Sequence, residues 1–272
     1  MSYEEFYGFS EQPFSNAPDA RFFFKSEQHE EAMKRLFYCI DTRKGLAVLV
    51  GPIGNGKTIL ARTMLEQLHT EEYEAALLVI VHAGISADWL LRKIALQMGI
   101  SDPPNDKLEI LSLLNERLVE LNEQGKKPVV LIDEAQMLNN RAIMEEFRGL
   151  LNLEGPGHKM ISLILFGLPE LDDCLKLDEP LKQRVAVHYN LASLKLDMTE
   201  KYLQHRLSVV GCEDDIFSSD AITEIHHFSK GVPRLINTIA DNALFESYLL
   251  KKKTIDSAFI REIGVGLGLD KS

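Results

Sequence analysis

The sequence predicts an α/β fold in which a parallel five-stranded sheet, flanked by helices, is followed by a small all-helical domain. Short apolar runs alternate with helical patterns up to about residue 192, as in βαβ units. The first run leads into a glycine-rich phosphate-binding motif, and from about Asp197 only helical patterns remain. We therefore divide the chain into residues 1–192, an α/β nucleotide-binding core with an N-terminal segment, and residues 193–272, a helical lid domain.

The first half of the predicted core contains two buried strands and several helices. Apolar runs at residues 45–50 and 76–81 lack the polar alternation of a half-exposed strand, which is typical of strands covered on both faces. Ser26 and Ser86 stand at the start of two helical patterns and are suitable N-cap residues. The helical patterns occupy residues 26–43, 58–65, 86–98 and 107–124.

Further apolar runs complete the predicted sheet, at residues 128–132, 161–167 and 185–187. A helix is predicted over residues 139–154, and the segment Gly155-Pro156-Gly157 ends it. The helical domain consists of patterns at residues 198–210, 218–229, 234–250 and 255–265.

The glycine-rich motif, Gly51–Thr58, is a complete G-x-x-x-x-G-K-[ST] sequence between a predicted strand and a predicted helix. In this context the glycines let backbone N–H groups surround a β-phosphate, and the helix N-terminus adds its dipole. Lys57 is expected to reach the β- and γ-phosphates, and the Thr58 hydroxyl to bind Mg²⁺. The alternative, a glycine-rich turn with a surface lysine, is disfavoured by the flanking strand and helix. The predicted nucleotide-binding residues here are Gly51, Pro52, Ile53, Gly54, Asn55, Gly56, Lys57, Thr58 and Ile59.

A pair of carboxylates, Asp133 and Glu134, follows the apolar run at 128–132. Strand carboxyl ends line the ligand crevice of an open α/β sheet, so both side chains are expected beside the phosphates. Asp133 is predicted to hold Mg²⁺, directly or through water, and Glu134 to polarise the attacking water as a general base. An acidic turn after a strand is common by itself. Together with the phosphate-binding motif, it predicts an ATPase that uses ATP and Mg²⁺.

Length and composition limit the class of protein. The 272 residues, 45% of them hydrophobic, suffice for one large and one small domain. Because no run of 18 apolar residues and no signal peptide is visible, we expect a soluble, cytoplasmic protein without direct membrane insertion. The net charge of −11 argues against a broad nucleic-acid-binding surface. Three scattered cysteines are expected to be buried thiols rather than a zinc site: Cys39, Cys174 and Cys212.

An α/β nucleotide-binding core followed by a small helical domain is the arrangement of AAA+ ATPases, and several fragments carry a closer resemblance. These are Phe6–Phe9, Gln12–Ser15, Pro18–Asp19, Arg21–Phe22, His29–Ala32, Ile132–Gln136, Gly167–Leu171, Tyr202–Leu207 and Gly231–Asn237. In order and spacing they resemble the ATPase domain of the general secretion pathway protein A (ExeA-like) family, over almost the whole chain. Members of that family serve secretion, type IV pilus assembly or polysaccharide export. Longer members add a transmembrane helix and a periplasmic domain, so we expect this chain to act through a separate membrane partner.

The resemblance implies roles for two arginines. Arg234 matches the sensor-2 arginine, which reports the γ-phosphate to the lid; the alternative is an exposed arginine at a helix start, where its charge opposes the dipole. Arg184 is the preferred arginine finger, reaching the γ-phosphate of a neighbouring subunit. A salt-bridged surface arginine is the alternative at that position, and Arg148 is a rival finger. A finger implies a nucleotide-dependent homo-oligomer, which for AAA+ proteins is a ring, typically a hexamer.

Two positions depart from the family pattern. Leu168 stands near the sensor-1 position, where relatives usually carry glutamine, and its side chain cannot bond the γ-phosphate or water. His82 follows a strand where relatives often carry an asparagine that restrains the catalytic glutamate. Histidine can still form that hydrogen bond, and the alternative is a strand-end histidine with a local backbone partner. Both departures bear on the rate of hydrolysis more than on ATP binding.

The leading hypothesis is an AAA+ ATPase that drives or regulates a bacterial envelope machine, located in the cytoplasm or held at the inner membrane by a partner. Nucleic acid is not an expected partner. One rival is an ATP-dependent, DNA-associated regulator of the transposition type, and another is a slow nucleotide switch. Adenine contact by the phenylalanines at 14 and 22–24 competes with their burial in a core. The run Lys251–Lys253 is explained by the dipole of the preceding helix.

Overall fold

A computed structural model describes residues 2–17 and 19–269 of the chain. Met1, Pro18 and the residues after 269 lie outside the described part. Pro18 belongs to the fragment Pro18–Asp19 that resembles the family. By contacts the chain divides into two compact units. The sheet unit contains Glu27–Gly51 and Leu60–Leu191; the helical unit contains the described residues up to Ser26, Pro52–Ile59, and the described residues from Ala192 onward.

The sheet unit is built on the predicted parallel sheet. Its strands are Leu46–Val50 (β1), Tyr73–Val79 (β2), Lys127–Asp133 (β3), Ser162–Gly167 (β6) and Val185–Asn190 (β7). Within the described residues these five form one sheet, ordered β2-β3-β6-β1-β7, with every pairing parallel. The carboxyl ends are level, since Val79 pairs with Asp133 and Val50 with Gly167. This is the edge at which open α/β sheets bind ligands.

Helices cover the sheet because the apolar runs of β1, β3 and β6 expose no side chain to water on either face. The helices that begin or lie in this unit are Glu27–Asp41 (α2), Ala87–Gln97 (α4), Lys107–Glu123 (α5), Arg141–Leu150 (α6), Leu171–Leu175 (α7) and Glu179–Lys182 (α8). Helix α3, Lys57–Gln67, starts in the phosphate-binding motif, and a 3₁₀ turn, Ala135–Leu138, follows β3. Ser86 caps α4 as predicted, accepting a hydrogen bond from the Trp89 N–H.

The segment between α6 and β6 differs from its prediction. The helix predicted to residue 154 ends at Leu150, and a short antiparallel hairpin follows, Glu154–Gly155 (β4) and His158–Lys159 (β5). The Gly-Pro-Gly sequence therefore forms a hairpin turn rather than a helix stop. The last strand, predicted to residue 187, continues to Asn190, because its ladder with β1 extends to Val50.

The helical unit contains helices Leu196–Val209 (α9), Ser219–Ser229 (α10), Pro233–Leu249 (α11) and Ser257–Gly266 (α12). The predicted ranges of all of these were correct to within a few residues. Helix Tyr3–Tyr7 (α1) and a 3₁₀ turn, Ala20–Phe22, were not predicted. None of the described helices combines the length and apolarity that a bilayer crossing requires.

The N-terminal segment packs with the helical unit, whereas the sequence-based division grouped it with the α/β core. Tyr3, Phe9, Phe14 and Phe22 are buried in the same apolar cluster as α9–α12. Arg206, only 5% exposed, ties the segment down by donating hydrogen bonds to the carbonyls of Pro13 and Ser15 at 2.5 and 2.8 Å. Its guanidinium lies 4.4 Å from the centre of the Phe22 ring. These contacts span nearly 200 residues of sequence, which no local pattern reveals.

Candidate nucleotide-binding site

The first glycine of the phosphate-binding motif closes the end of β1. Gly51 donates its N–H to the Gly167 carbonyl at 3.2 Å, and Leu191 donates its N–H to the Val50 carbonyl at 2.8 Å. A β-carbon placed on Gly51 would lie 2.7 Å from the Leu191 carbonyl oxygen. Only glycine allows the chain to pass between β6 and β7 at this point.

The motif continues as a tight loop in the helical unit. Gly54 and Gly56 have φ angles of +83° and +87°, a left-handed conformation that favours glycine and turns successive backbone N–H groups toward one side. Lys57 begins α3, is 6% exposed, and its ammonium donates to the Pro52 carbonyl at 2.9 Å. Thr58 follows in the first turn of α3. The loop thus presents backbone donors, an ammonium and a hydroxyl at a helix N-terminus, the donor set of an anion site.

The start of α11 packs directly on this loop. Arg234 donates its backbone N–H to the Gly54 carbonyl at 3.3 Å. A β-carbon on Gly54 would lie 2.7 Å from the Arg234 β-carbon and 3.1 Å from a methyl group of Val232. Within residues 2–17 and 19–269, the exposed Arg234 guanidinium has no ion-pair or hydrogen-bond partner. The arginine predicted to sense nucleotide therefore lies beside the phosphate-binding loop.

A second glycine fixes the approach of α11. Gly231 has φ +72°, and a β-carbon there would lie 1.9 Å from the Leu194 carbonyl oxygen. Leu194 in turn donates its N–H to the Gly231 carbonyl at 2.9 Å. No larger residue fits, so Gly231 holds the turn that delivers Arg234. In the sequence, Gly231 is recognisable only as the first residue of the fragment Gly231–Asn237.

The two predicted carboxylates lie together in the sheet unit. Asp133 ends β3 and is 1% exposed; its Oδ1 accepts a hydrogen bond from the Glu134 N–H at 3.0 Å. Glu134 has φ 57°, an uncommon conformation for a residue with a side chain, and leads into the 3₁₀ turn. This turn redirects the chain immediately after the buried carboxylate.

Gln136 contacts the Glu134 side chain, which sequence reasoning did not anticipate. Its side-chain NH₂ donates to Glu134 Oε2 at 2.6 Å, while its Oε1 accepts the N–H of Leu168 at 3.1 Å. Gln136 therefore links the candidate general base to the residue after β6. The Leu168 side chain forms no hydrogen bond, but the Leu168 backbone N–H takes part in this polar link.

His82 does not form the hydrogen bond that was considered for it, to the carboxylate of Glu134. In the described residues the imidazole is exposed and has no hydrogen-bond partner. The hydrogen bond to the Glu134 carboxylate comes from Gln136 instead.

The candidate arginine fingers are both engaged within their own subunit. Arg148 Nε pairs with the buried carboxylate of Asp178 at 3.0 Å. Arg184 bonds the Asn152 side chain and, at 3.4 Å, the Arg148 carbonyl. Of the two, Arg184 has the more easily exchanged partners, because it is held by neutral groups and Arg148 by a carboxylate.

The phenylalanines considered for adenine binding include clear core residues. Phe14 and Phe22 are buried in the helical unit, and the edge of Phe24 packs against Tyr202 at 5.8 Å between ring centres. The core interpretation therefore holds for Phe14 and Phe22. All three cysteines are buried thiols, as expected.

The residues present fit ATP with Mg²⁺. Magnesium favours octahedral oxygen ligands and is commonly held by one or two carboxylates or hydroxyls together with substrate phosphates. In the sheet unit the buried Asp133 carboxylate is a ligand of that kind, and in the helical unit the Thr58 hydroxyl is another. The left-handed glycines of the loop and the buried Lys57 match a phosphate chain.

Comparisons with known proteins show the family to which the chain belongs. An AAA domain model matches residues 40–175, half of the chain. General secretion pathway protein A from Aeromonas hydrophila is 36% identical over 249 residues, which covers 90% of this chain. The chain spans 45% of the length of that relative.

Solved structures of low sequence identity share the fold. The ORC2 protein of Aeropyrum pernix, solved as ADPNP–ADP complexes, has a TM-score of 0.66 at 16% identity, covering 94% of this chain and 72% of that one. Cdc6p from Pyrobaculum aerophilum has a TM-score of 0.66 at 21% identity, with coverage of 92% and 69%. The Holliday junction branch migration motor RuvB of Thermotoga maritima has a TM-score of 0.58 at 18% identity, with coverage of 92% and 74%.

Proposed function

Because this chain belongs to the AAA domain family of P-loop ATPases and is related to general secretion pathway protein A, we propose that it hydrolyses ATP to ADP and phosphate. The observation that carries the proposal is the loop at Gly54–Lys57, with two left-handed glycines above a buried lysine at a helix start. The ammonium donates to the Pro52 carbonyl inside the same loop, which holds it among the backbone N–H groups where a phosphate chain would bind.

Each residue then has a definite part. Lys57 and the loop N–H groups bind the phosphates, and Thr58 and Asp133 bind Mg²⁺. Mg²⁺ held by these residues would supply positive charge that offsets the charge of the phosphates. Glu134 orients a water molecule and accepts its proton as it attacks the γ-phosphorus. Arg234, carried on α11 against the loop, responds to the γ-phosphate and so couples the nucleotide state to the helical unit.

Release of inorganic phosphate from ATP tests the proposal, with Glu134→Gln as the variant. Loss of the general base is expected to lower kcat by about 10²- to 10⁴-fold, with ATP affinity retained. A Glu134→Gln protein that hydrolyses ATP at the wild-type rate would exclude this assignment. Tight ATP binding with no turnover in the wild type would instead favour a nucleotide switch, the second candidate, which the apolar Leu168 side chain supports.

We further propose that turnover requires a homo-oligomeric ring, in which Arg184 reaches the γ-phosphate of a neighbouring subunit. Its present partners, a neutral amide and a carbonyl, are weak enough to exchange for a phosphate. The specific activity should then rise with protein concentration. Mixing Arg184→Ala with Glu134→Gln subunits should restore activity that neither has alone, because one interface in the mixture regains both groups. Additive, inactive mixtures would exclude a finger acting in trans.

The relative's role in general secretion suggests the setting. We propose that the chain serves an envelope-assembly machine from the cytoplasmic side and reaches the inner membrane through a protein partner. Nucleotide-dependent recovery of the chain with the membrane fraction, lost after protease treatment of the membranes, would support this. Binding to anionic vesicles that contain no protein would contradict it.

A further inference from the structure

The Gln136 side chain uses both ends of its amide at the carboxyl edge of the sheet. One end donates to the Glu134 carboxylate at 2.6 Å, and the other accepts from the Leu168 N–H at 3.1 Å. The amide has only one orientation that satisfies both contacts, since a reversed amide would place its oxygen against the carboxylate. The link is therefore specific to glutamine.

The surrounding residues hold the Gln136 side chain in place. A β-carbon on Gly167 would lie 2.9 Å from Gln136 Oε1, so the glycine at the end of β6 leaves room for the amide. The flanking residues of the 3₁₀ turn, Ala135 and Leu138, are each 1% exposed and anchor it in the core. The Cys174 thiol lies 3.5 Å from the Gln136 backbone carbonyl, which fixes the turn from the side of α7.

Glu134 needs such support. With φ 57° it occupies a backbone region that disfavours residues with side chains, and its carboxylate is only half-buried. The hydrogen bond from Gln136 fixes the direction of this carboxylate. The N–H of Leu168 is the polar group that residue 168 offers here, and Gln136 is the side chain that connects it to Glu134.

We propose that Gln136 is a positioning residue for ATP hydrolysis: it holds the Glu134 carboxylate in one orientation by tying it to the backbone of Leu168. The inference rests on the proposed ATPase function and adds to it.

Two variants separate positioning from a merely structural role. Gln136→Glu retains an oxygen that accepts the Leu168 N–H but cannot donate to Glu134, and it places a second negative charge beside that carboxylate. Gln136→Met, of similar size, removes both hydrogen bonds. If Gln136 only satisfies the Leu168 N–H, the neutral Gln136→Met should lose stability and keep the kcat of the wild type.

If Gln136 positions Glu134, both variants should lower kcat by about 10- to 100-fold, as expected for a misplaced catalytic group, with KM for ATP within about twofold of the wild type. Hydrogen exchange at the Leu168 amide gives an independent readout: Gln136→Met should accelerate it, whereas Gln136→Glu should leave it protected. Slow kcat in both variants assigns the effect to the lost bond to Glu134, because Gln136→Glu keeps the contact with the Leu168 amide and Gln136→Met adds no charge.

The outcomes distinguish the two proposals. A wild-type protein that binds ATP without hydrolysing it overturns the ATPase function and the positioning role together. An active wild type with unchanged kcat in Gln136→Glu overturns the positioning role and leaves the ATPase function standing. An equal rise in KM and fall in kcat/KM, with kcat unchanged, would assign Gln136 to nucleotide binding instead and would also overturn the inference.

Discussion

Replacement of Gly54 by alanine tests the contact between the phosphate-binding loop and α11. Gly54 has φ +83°, and its missing β-carbon faces the Arg234 β-carbon at 2.7 Å and a Val232 methyl at 3.1 Å. Both distances are shorter than ordinary van der Waals contact, and the closest atom belongs to the rigid base of a side chain. Gly54→Ala must therefore shift the loop, α11, or both.

The left-handed conformation alone costs an alanine about 1–2 kcal/mol. In the nucleotide-free protein the loop can relax and avoid much of this cost, but bound phosphates require it to return to the glycine conformation. The penalty then falls on binding, where about 1.4 kcal/mol corresponds to a tenfold change in Kd. We expect ATP affinity to fall by about 10- to 30-fold, and further if Arg234 is displaced.

Gly157→Ala is the matched control. Gly157 has φ +80°, almost the same strain, but a β-carbon there meets nothing within 4 Å, and it lies in the hairpin turn. Calorimetric titration of ATP into each variant should show wild-type affinity for Gly157→Ala and weakened affinity for Gly54→Ala. Wild-type affinity in Gly54→Ala would refute the reasoning, because the loop would then tolerate a side chain at its closest contact.

Two further predictions concern the helical unit. In denaturant titrations, Arg206→Met should lower the free energy of unfolding by about 3 kcal/mol or more, because it removes two charge-assisted hydrogen bonds to the carbonyls of Pro13 and Ser15. A loss under 1 kcal/mol would show that Arg206 does not hold the N-terminal segment in place. Burial, and then the positive charge of Arg206, lower the pKa of His205. The folded state thus binds fewer protons than the unfolded chain, and wild-type stability should fall as the pH drops below about 6.5. His205→Leu should reduce this fall between pH 7 and pH 5, and an unchanged pH dependence would count against it.

The sheet and the phosphate-binding loop could be predicted from the sequence because local patterns specify them. The apolar runs of β1, β3 and β6 have no polar alternation, so they require cover on both faces. The spacing of the glycines and Lys57 determines the loop, whose conformation depends on few residues outside it. The motif does not reveal two tertiary contacts. Leu194 bonds Gly231, and the backbone of Arg234 bonds the loop at Gly54.

The remaining features depend on contacts between distant parts of the chain. The N-terminal segment was assigned to the α/β core because it precedes that core in sequence, but the Tyr3 hydroxyl bonds Asp241 at 2.8 Å and its aromatic neighbours fill the helical unit. Gln136 lies two residues after Glu134, and its function becomes visible only when the end of β6 brings the Leu168 N–H beside it. The periodicity of apolar residues does not reveal which distant residues come into contact.

Binding of ATP in the presence of Mg²⁺, measured by calorimetric titration of wild type, Lys57→Met and Lys44→Met, tests the central claim most directly. Lys44 is the matched control, an exposed lysine whose ammonium lies 5.0 Å from the centre of the Tyr38 ring. Charge-assisted hydrogen bonds contribute about 1.5–3 kcal/mol each, so Lys57→Met should weaken binding by about 10- to 100-fold and Lys44→Met should not. Equal affinity in all three proteins, or no binding by the wild type, would contradict a phosphate site at Gly51–Thr58.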